Sequence, residues 1–224
     1  MTAAGNVRTE GVAGTADELL SLAERLFAEH GVENTPLTRI AAQSGQRNRS
    51  AVHYHFGSRA GVLTAVLNRR LAALNARREA LVDALPARPS VARIVRAAFA
   101  PLGLVVVEEP WGADYLGIVA QVTFHPTLLG ERAVDETHLS GIRRCRRLLA
   151  AAAPNVPDAL LSQRLAWLTD SVVFALARWV RDTPAAGRTR QAMDALIDQL
   201  AAYGTAGLTA PDPSSSISTT EPAP

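Results

Sequence analysis

From Thr15 onward the chain repeats apolar residues at intervals of three and four, the spacing of helices that each bury one face. Leu19, Leu22, Ala23, Leu26 and Phe27 come first. A capping box, Thr15-x-x-Glu18, precedes them and Gly31 follows, so a first helix is predicted between those signals, with Phe27 in the core. Thr35 then offers an N-cap with Pro36 at the first helical position, and Leu37, Ile40 and Ala41 form the next apolar face. Gly45 supplies a break, and a third helix is predicted from about Asn48 to Tyr54, with Ala51 and Val52 inward.

The pattern continues in longer pieces. Ser58 can cap a helix from Arg59 to about Leu85, stopped before Pro86 and Pro89. At 1.5 Å per residue it spans about 40 Å, enough to act as a lever. Ser90 to about Glu108 is amphipathic with a kink expected at Pro101, Trp111–Phe124 follows Pro110, and Thr127–Ala153 runs up to Pro154. The stretch from Asp158 to Arg181 is the most apolar, and Arg188–Tyr203 is the last predicted helix. Residues 1–14 carry no periodicity and read as a flexible arm bearing Arg8; the Pro-, Ser- and Thr-rich residues 205–224 read as a disordered tail. No strand pattern and no internal repeat is visible. The expected fold is all-α, with about nine helices.

Composition narrows the picture. Residues 34–78 contain no Asp or Glu but eight Arg (39, 47, 49, 59, 69, 70, 77 and 78), although the whole chain carries a net charge of only +2. A sign-pure basic segment laid over a helix-turn-helix is the footprint of a phosphate-bearing partner. Arg69, Arg70, Arg77 and Arg78 lie far along the fourth helix and are expected to be solvated. All 23 basic residues are Arg, which alongside the abundant Ala fits a GC-rich genome. There is no run of 18 apolar residues for a membrane span and no secretory signal pattern, and a single Cys fits a reducing cytoplasm. No phosphate loop or nucleophile elbow appears. His53 and His55 are two apart and point to different faces, a poor metal pair, so no metal, cofactor or enzymatic activity is expected. Cys145 stands between Arg143-Arg144 and Arg146-Arg147, a setting that can lower a thiol pKa, though a Cys in such a place is more often inert.

The run LAERLFAEHGVENTPLTRIAAQSG followed by YHFGSRAGVLTAVL resembles the N-terminal domain of the tetracycline-repressor (TetR) family of one-component regulators. His53-Tyr54-His55-Phe56 stands where that family's third helix usually ends in a Tyr-Tyr-His-Phe-like run, and Arg59 where a Lys usually opens the fourth. The turn GQRNRSAV is one residue longer than usual. The resemblance implies a helix-turn-helix domain over residues 15–58 and a helical effector-binding and dimerisation domain over residues 59–204. On this reading Arg47, Asn48, Arg49 and Ser50 face base edges, Thr35, Thr38, Tyr54 and Arg59 hold phosphates, and Gln46 and His53 also belong to the DNA-binding surface. The partners are a pseudo-palindromic operator duplex, a second copy of the chain and a small-molecule effector, and the expected role is a repressor released by that molecule.

In the family the last two helices pair with their copies in a four-helix bundle. That assigns Leu165, Leu168, Val172, Leu176, Val180, Met193, Leu196, Ile197 and Leu200 to the dimer interface; the alternative is that these faces complete one subunit's core. Candidate walls of an apolar effector pocket are Phe99, Trp111, Tyr115, Phe124, Trp167 and Phe174, with Gln121, Thr123 and His125 as orienting polar groups. A hydrophobic effector is expected. The competing function is an all-helical enzyme or interaction module that shares the bundle without reading DNA, and specific retardation of a DNA fragment from beside the gene separates the two.

Overall fold

The computed structural model describes residues 6–44, 50–130 and 134–212, with side chains from residue 16 onward except those of 50–52. Among these residues the chain is helical throughout: α1 Asn6–His30, α2 Leu37–Gln43, α3 Ser50–Phe56, α4 Arg59–Asp83, α5 Val91–Glu108, α6 Gly112–Phe124, α7 Ser140–Ala152, α8 Asp158–Asp182 and α9 Arg190–Thr209, with short 3₁₀ turns between some of them. Gly31 ends α1 in the left-handed region (φ 84°), where a residue without Cβ costs least. Ser58 caps α4 by accepting from Gly61 N–H.

Four element boundaries differ from those predicted, each for a local reason. The first helix begins at Asn6, so Thr15 lies inside it rather than capping it, and residues 6–14 are no arm. A capping box is a preference of about 1 kcal/mol, and a helix whose later turns are packed extends upstream at little cost. Thr35 does not cap α2: the cap position is Pro36. The predicted 127–153 helix is realised only from Ser140, because Gly130 takes φ 61° and a 3₁₀ turn led by Asp135 intervenes. The last helix passes through Gly204 and continues to Thr209, so residues 205–209 are not tail. Gly204 is there for fit: a Cβ on it would lie 2.8 Å from Leu168 and 3.3 Å from Val95.

α5 is the hub. Ten of its residues, from Ile94 to Val106, are buried, and it packs on α4, α6, α7 and α9. Small residues let its neighbours approach closely. A Cβ on Gly103 would meet Met193 Sδ at 2.9 Å, and one on Gly112 would meet the Val105 carbonyl oxygen at 2.0 Å. Pro101 lies inside α5, where its missing N–H leaves the Ala97 carbonyl without its usual helical donor.

Candidate nucleic-acid interface and effector core

The N-terminal unit is built on α1. Ile40 and Ala41 of α2 are sealed in one core with Leu26, Phe27 and Val32, and with Val62 and Leu63 of α4. Thr35 is fully buried, and its hydroxyl donates to Leu26 O at 3.2 Å and Gly31 O at 2.8 Å. It therefore cannot hold a phosphate; it ties the α1–α2 connection to the end of α1. Thr38 and Arg39 are exposed beside it.

Gln46, Arg47, Asn48 and Arg49 lie outside the described residues, and Ser50 opens α3. His53, Tyr54 and His55 stand out from the C-terminal half of α3, with Tyr54 86 % exposed. His53 Nδ1 is 3.0 Å from Gly57 O. A carbonyl only accepts, so Nδ1 carries the proton, and in the neutral ring Nε2 is left as an acceptor. Arg59 is half-buried, with Nη1 donating to Glu33 O at 2.7 Å. It braces the α1–α2 connection against the start of α4.

The basic segment divides in two. Its far half is not solvated as expected but internally paired. Arg69 meets Asp17 at 2.9 Å, Arg70 meets the buried Glu24 at 2.6 Å, and Arg77 pairs with Glu108 and Glu109. Arg78 is buried, donating through Nε to Ala98 O at 2.8 Å. In the near half, among the described residues, Arg39 is exposed and Arg59 meets a backbone carbonyl, and neither pairs with a carboxylate.

Two clusters stitch this unit to the helices behind it. Gln121 of α6 accepts from Val32 N–H at 2.8 Å and donates to Phe27 O at 3.2 Å and Gly117 O at 3.3 Å. This commits both ends of its amide to the end of α1 and to its own helix, so Gln121 is a strut and not a pocket group. The Arg70 guanidinium sits 4.3 Å from the Trp111 ring centroid, between that ring and Glu24. Trp111 in turn meets Tyr115 edge-on. Sequence reasoning missed both clusters; the one available signal was a run of Arg with no acid beside it in sequence.

The other expected effector residues disperse. Tyr115 is buried, and burial pushes its phenol pKa up. Phe124 is exposed and packs edge-on against Phe174, His125 is exposed, and Trp167 is on the surface. Phe99 borders an apolar groove of about 210 Å³ between α5, α7 and α8, with Ile142, Cys145, Leu149 and Leu165. Cys145 is buried, and that burial raises its thiol pKa despite the flanking arginines, which removes the basis for a reactive thiolate.

The expected dimer residues also divide. Leu168, Val172, Leu176, Met193 and Ile197 are buried inside the subunit, the first three on α8 and the last two on the face of α9 packed on α5. Leu165, Val180, Leu196 and Leu200 are half-buried. The outward faces of α8 and α9 carry Trp167, 58 % exposed, and Tyr203, 63 % exposed, across a groove of about 460 Å³ floored by Gly204 and Leu168.

Comparison with known proteins matches this arrangement. The sequence model of the bacterial regulatory proteins of the tetR family matches residues 19–66. The model described as tetracyclin repressor-like, C-terminal domain, matches residues 96–207, half of the chain. No curated protein matches significantly. Among solved structures, the fatty acid degradation regulator FadR from Bacillus halodurans aligns with a TM-score of 0.58 at 15 % identity, over 86 % of this chain and 95 % of its own. FadR from Bacillus subtilis in complex with stearoyl-CoA aligns at 0.51 and 14 % identity, over 85 % and 98 %. RolR in complex with resorcinol aligns at 0.50 and 17 % identity, over 92 % and 98 %. At these identities the likeness is one of fold.

Proposed function

The chain belongs to the TetR family of DNA-binding transcriptional regulators, and from that premise we propose that it is a homodimeric repressor released from its operator by a largely apolar small molecule. The observation that carries this reading is the division of labour along one continuous core. A helix-turn-helix presents Tyr54 and His53 outward within the acid-free segment, and Gln121 and the Arg70–Glu24 pair lock that unit to the effector helices. A ligand that shifts α6 therefore shifts α1.

Arg47, Asn48, Arg49 and Ser50 are assigned to base edges, and Thr38, Tyr54 and Arg59 to phosphates. Two copies place their third helices in successive major grooves about 34 Å apart. Release follows only if the effector binds the mis-spaced dimer better than the operator-bound one. The protein acts by binding rather than by catalysis, in the cytoplasm where its DNA lies. Two relatives in fold were solved with resorcinol and stearoyl-CoA, and an organic body with polar groups at one end is the ligand class proposed for this chain.

The test is retardation of a duplex from beside the chain's own gene against unrelated duplex at several salt concentrations. Preference that persists as salt rises supports the regulator. Equal, steeply salt-dependent binding to both duplexes removes specific recognition and favours the interaction-module reading.

A further inference from the structure

Two arginines are buried to the same degree, Arg78 and Arg164, each 8 % exposed, and they are treated differently. Arg164 donates to three carbonyls, Leu208 O, Ala210 O and Pro211 O, closing the end of α9. Arg78 has one partner, Ala98 O, through Nε. Among the described residues neither of its Nη nitrogens donates to anything, and no carboxylate pairs with it. The adjacent Glu79 is turned away to Ser140 and Arg144.

The side chain is nonetheless held firmly. Gly141 lets α7 close over its stem, a Cβ there falling 3.2 Å from Arg78 Cγ and Cδ. Asn75 fixes that approach by accepting from Gly141 N–H at 2.9 Å. Thr64 Oγ1 is the only side-chain polar atom among the described residues that is both sealed from solvent and unpartnered. The free Nη nitrogens of Arg78 and the Tyr115 hydroxyl, which also lacks a partner among the described residues, are not sealed in this way, so solvent reaches them. Ala98 and Cys145, both neighbours of Arg78, also line the apolar groove with Phe99, Ile142 and Leu149. Burial pulls the Arg78 pKa below the usual arginine value, as expected where compensating charge is short.

A guanidinium buried without a counter-charge is costly, and its fork matches a carboxylate. We propose that Arg78, with Tyr115 beside it, anchors the acidic head group of the effector, whose apolar body lies in the groove beyond Ala98 and Cys145. The inference rests on the effector-released regulator reading and narrows its ligand to organic monoacids.

The experiment uses the full chain as wild type, Arg78→Met, Arg78→Lys and Arg164→Met. Without ligand, Arg78→Met keeps the thermal midpoint or raises it by about 2–4 °C, whereas Arg164→Met lowers it. A fall in Arg78→Met equal to that in Arg164→Met makes Arg78 a structural residue and overturns the proposal. The probes are octanoic acid and 1-naphthoic acid, each against its neutral primary amide. In the wild type at least one acid raises the midpoint at a concentration tenfold or more below its amide; Arg78→Lys keeps that preference and Arg78→Met loses it. Amides that match the acids, a preference that survives in Arg78→Met, or no response to either acid each overturn the anchor. Operator retardation is read in parallel. Wild type that prefers acids but reads no operator sinks the regulator and leaves the anchor standing, while specific operator binding with no acid preference does the reverse.

Discussion

Arg49 stands in the segment that joins α2 to α3, where guanidinium groups are assigned to base edges. Replacing it with Ala is expected to cost about 1–3 kcal/mol on the operator and to relax preference at one base pair, while Arg59→Ala weakens all duplexes alike. Competition anisotropy with single-base operator variants reads both, and unchanged affinity for Arg49→Ala refutes the assigned register. Asp114, in the first turn of α6, has its pKa raised first by burial and next by the charge of Glu24, against the opposing pull of Arg25. With the folded pKa above the unfolded one, the native state binds more protons between them, so this group's contribution falls as pH rises through that window. Asp114→Asn should therefore raise the midpoint at pH 7, and its advantage should vanish as the pH drops below the ordinary aspartate value. An advantage that grows on acidification contradicts the assignment.

Between elements, close approach is set by glycine and coupling by buried charge. Gly112 and Gly117 lie five residues apart at and near the start of α6, yet a Cβ meets Val105 backbone at the first and nothing within 4 Å at the second. Gly112→Ala should cost about 1–3 kcal/mol or more, since backbone cannot step aside as a side chain can, and Gly117→Ala should gain up to about 1 kcal/mol of helix propensity. Urea melts of the two variants measure this, and equal effects would show that the α5–α6 crossing is looser than described. The Arg70–Glu24 pair joins α4 to α1 under Trp111. Arg70→Met leaves Glu24 buried and unpaired, a loss of about 3–5 kcal/mol, and adding Glu24→Leu should recover most of it. A double variant as unstable as Arg70→Met would mean that the ring contact, and not the charge pair, carries the junction.

For the whole molecule the question is which faces of α8 and α9 meet the second subunit. Leu176 is completely buried within its own chain, so a charge there would damage the fold before it reported on the dimer. Trp167 and Tyr203 are large, apolar and exposed on the outward side of the same helices. A Trp167→Glu, Tyr203→Glu variant should sediment as a folded monomer with unchanged helical circular dichroism. Its operator affinity should fall roughly a hundredfold or more, because two half-sites can no longer be held at once. A variant that stays dimeric would place the interface elsewhere.

The sequence by itself determined what depends on neighbours along the chain. Apolar spacing marked the helices, Gly31 and Ser58 marked ends, and the acid-free stretch with its Tyr-His run marked the DNA-binding unit, because periodicity, caps and charge runs are local properties. Tertiary structure decided everything that depends on which helix lies beside which. It carried α9 through Gly204, where the missing Cβ makes room for Leu168. It turned Thr35 inward to the carbonyls of α1, took Gln121 out of the pocket to bind the end of α1, and gave the inner faces of α8 and α9 to the subunit's own core. It also separated one set of arginines into two fates, paired struts on one side and Arg78, buried and open-handed, on the other. Partners such as Glu24 for Arg70 and Phe27 for Gln121 lie 46 and 94 residues away in the chain, and no local pattern encodes a partner at that distance.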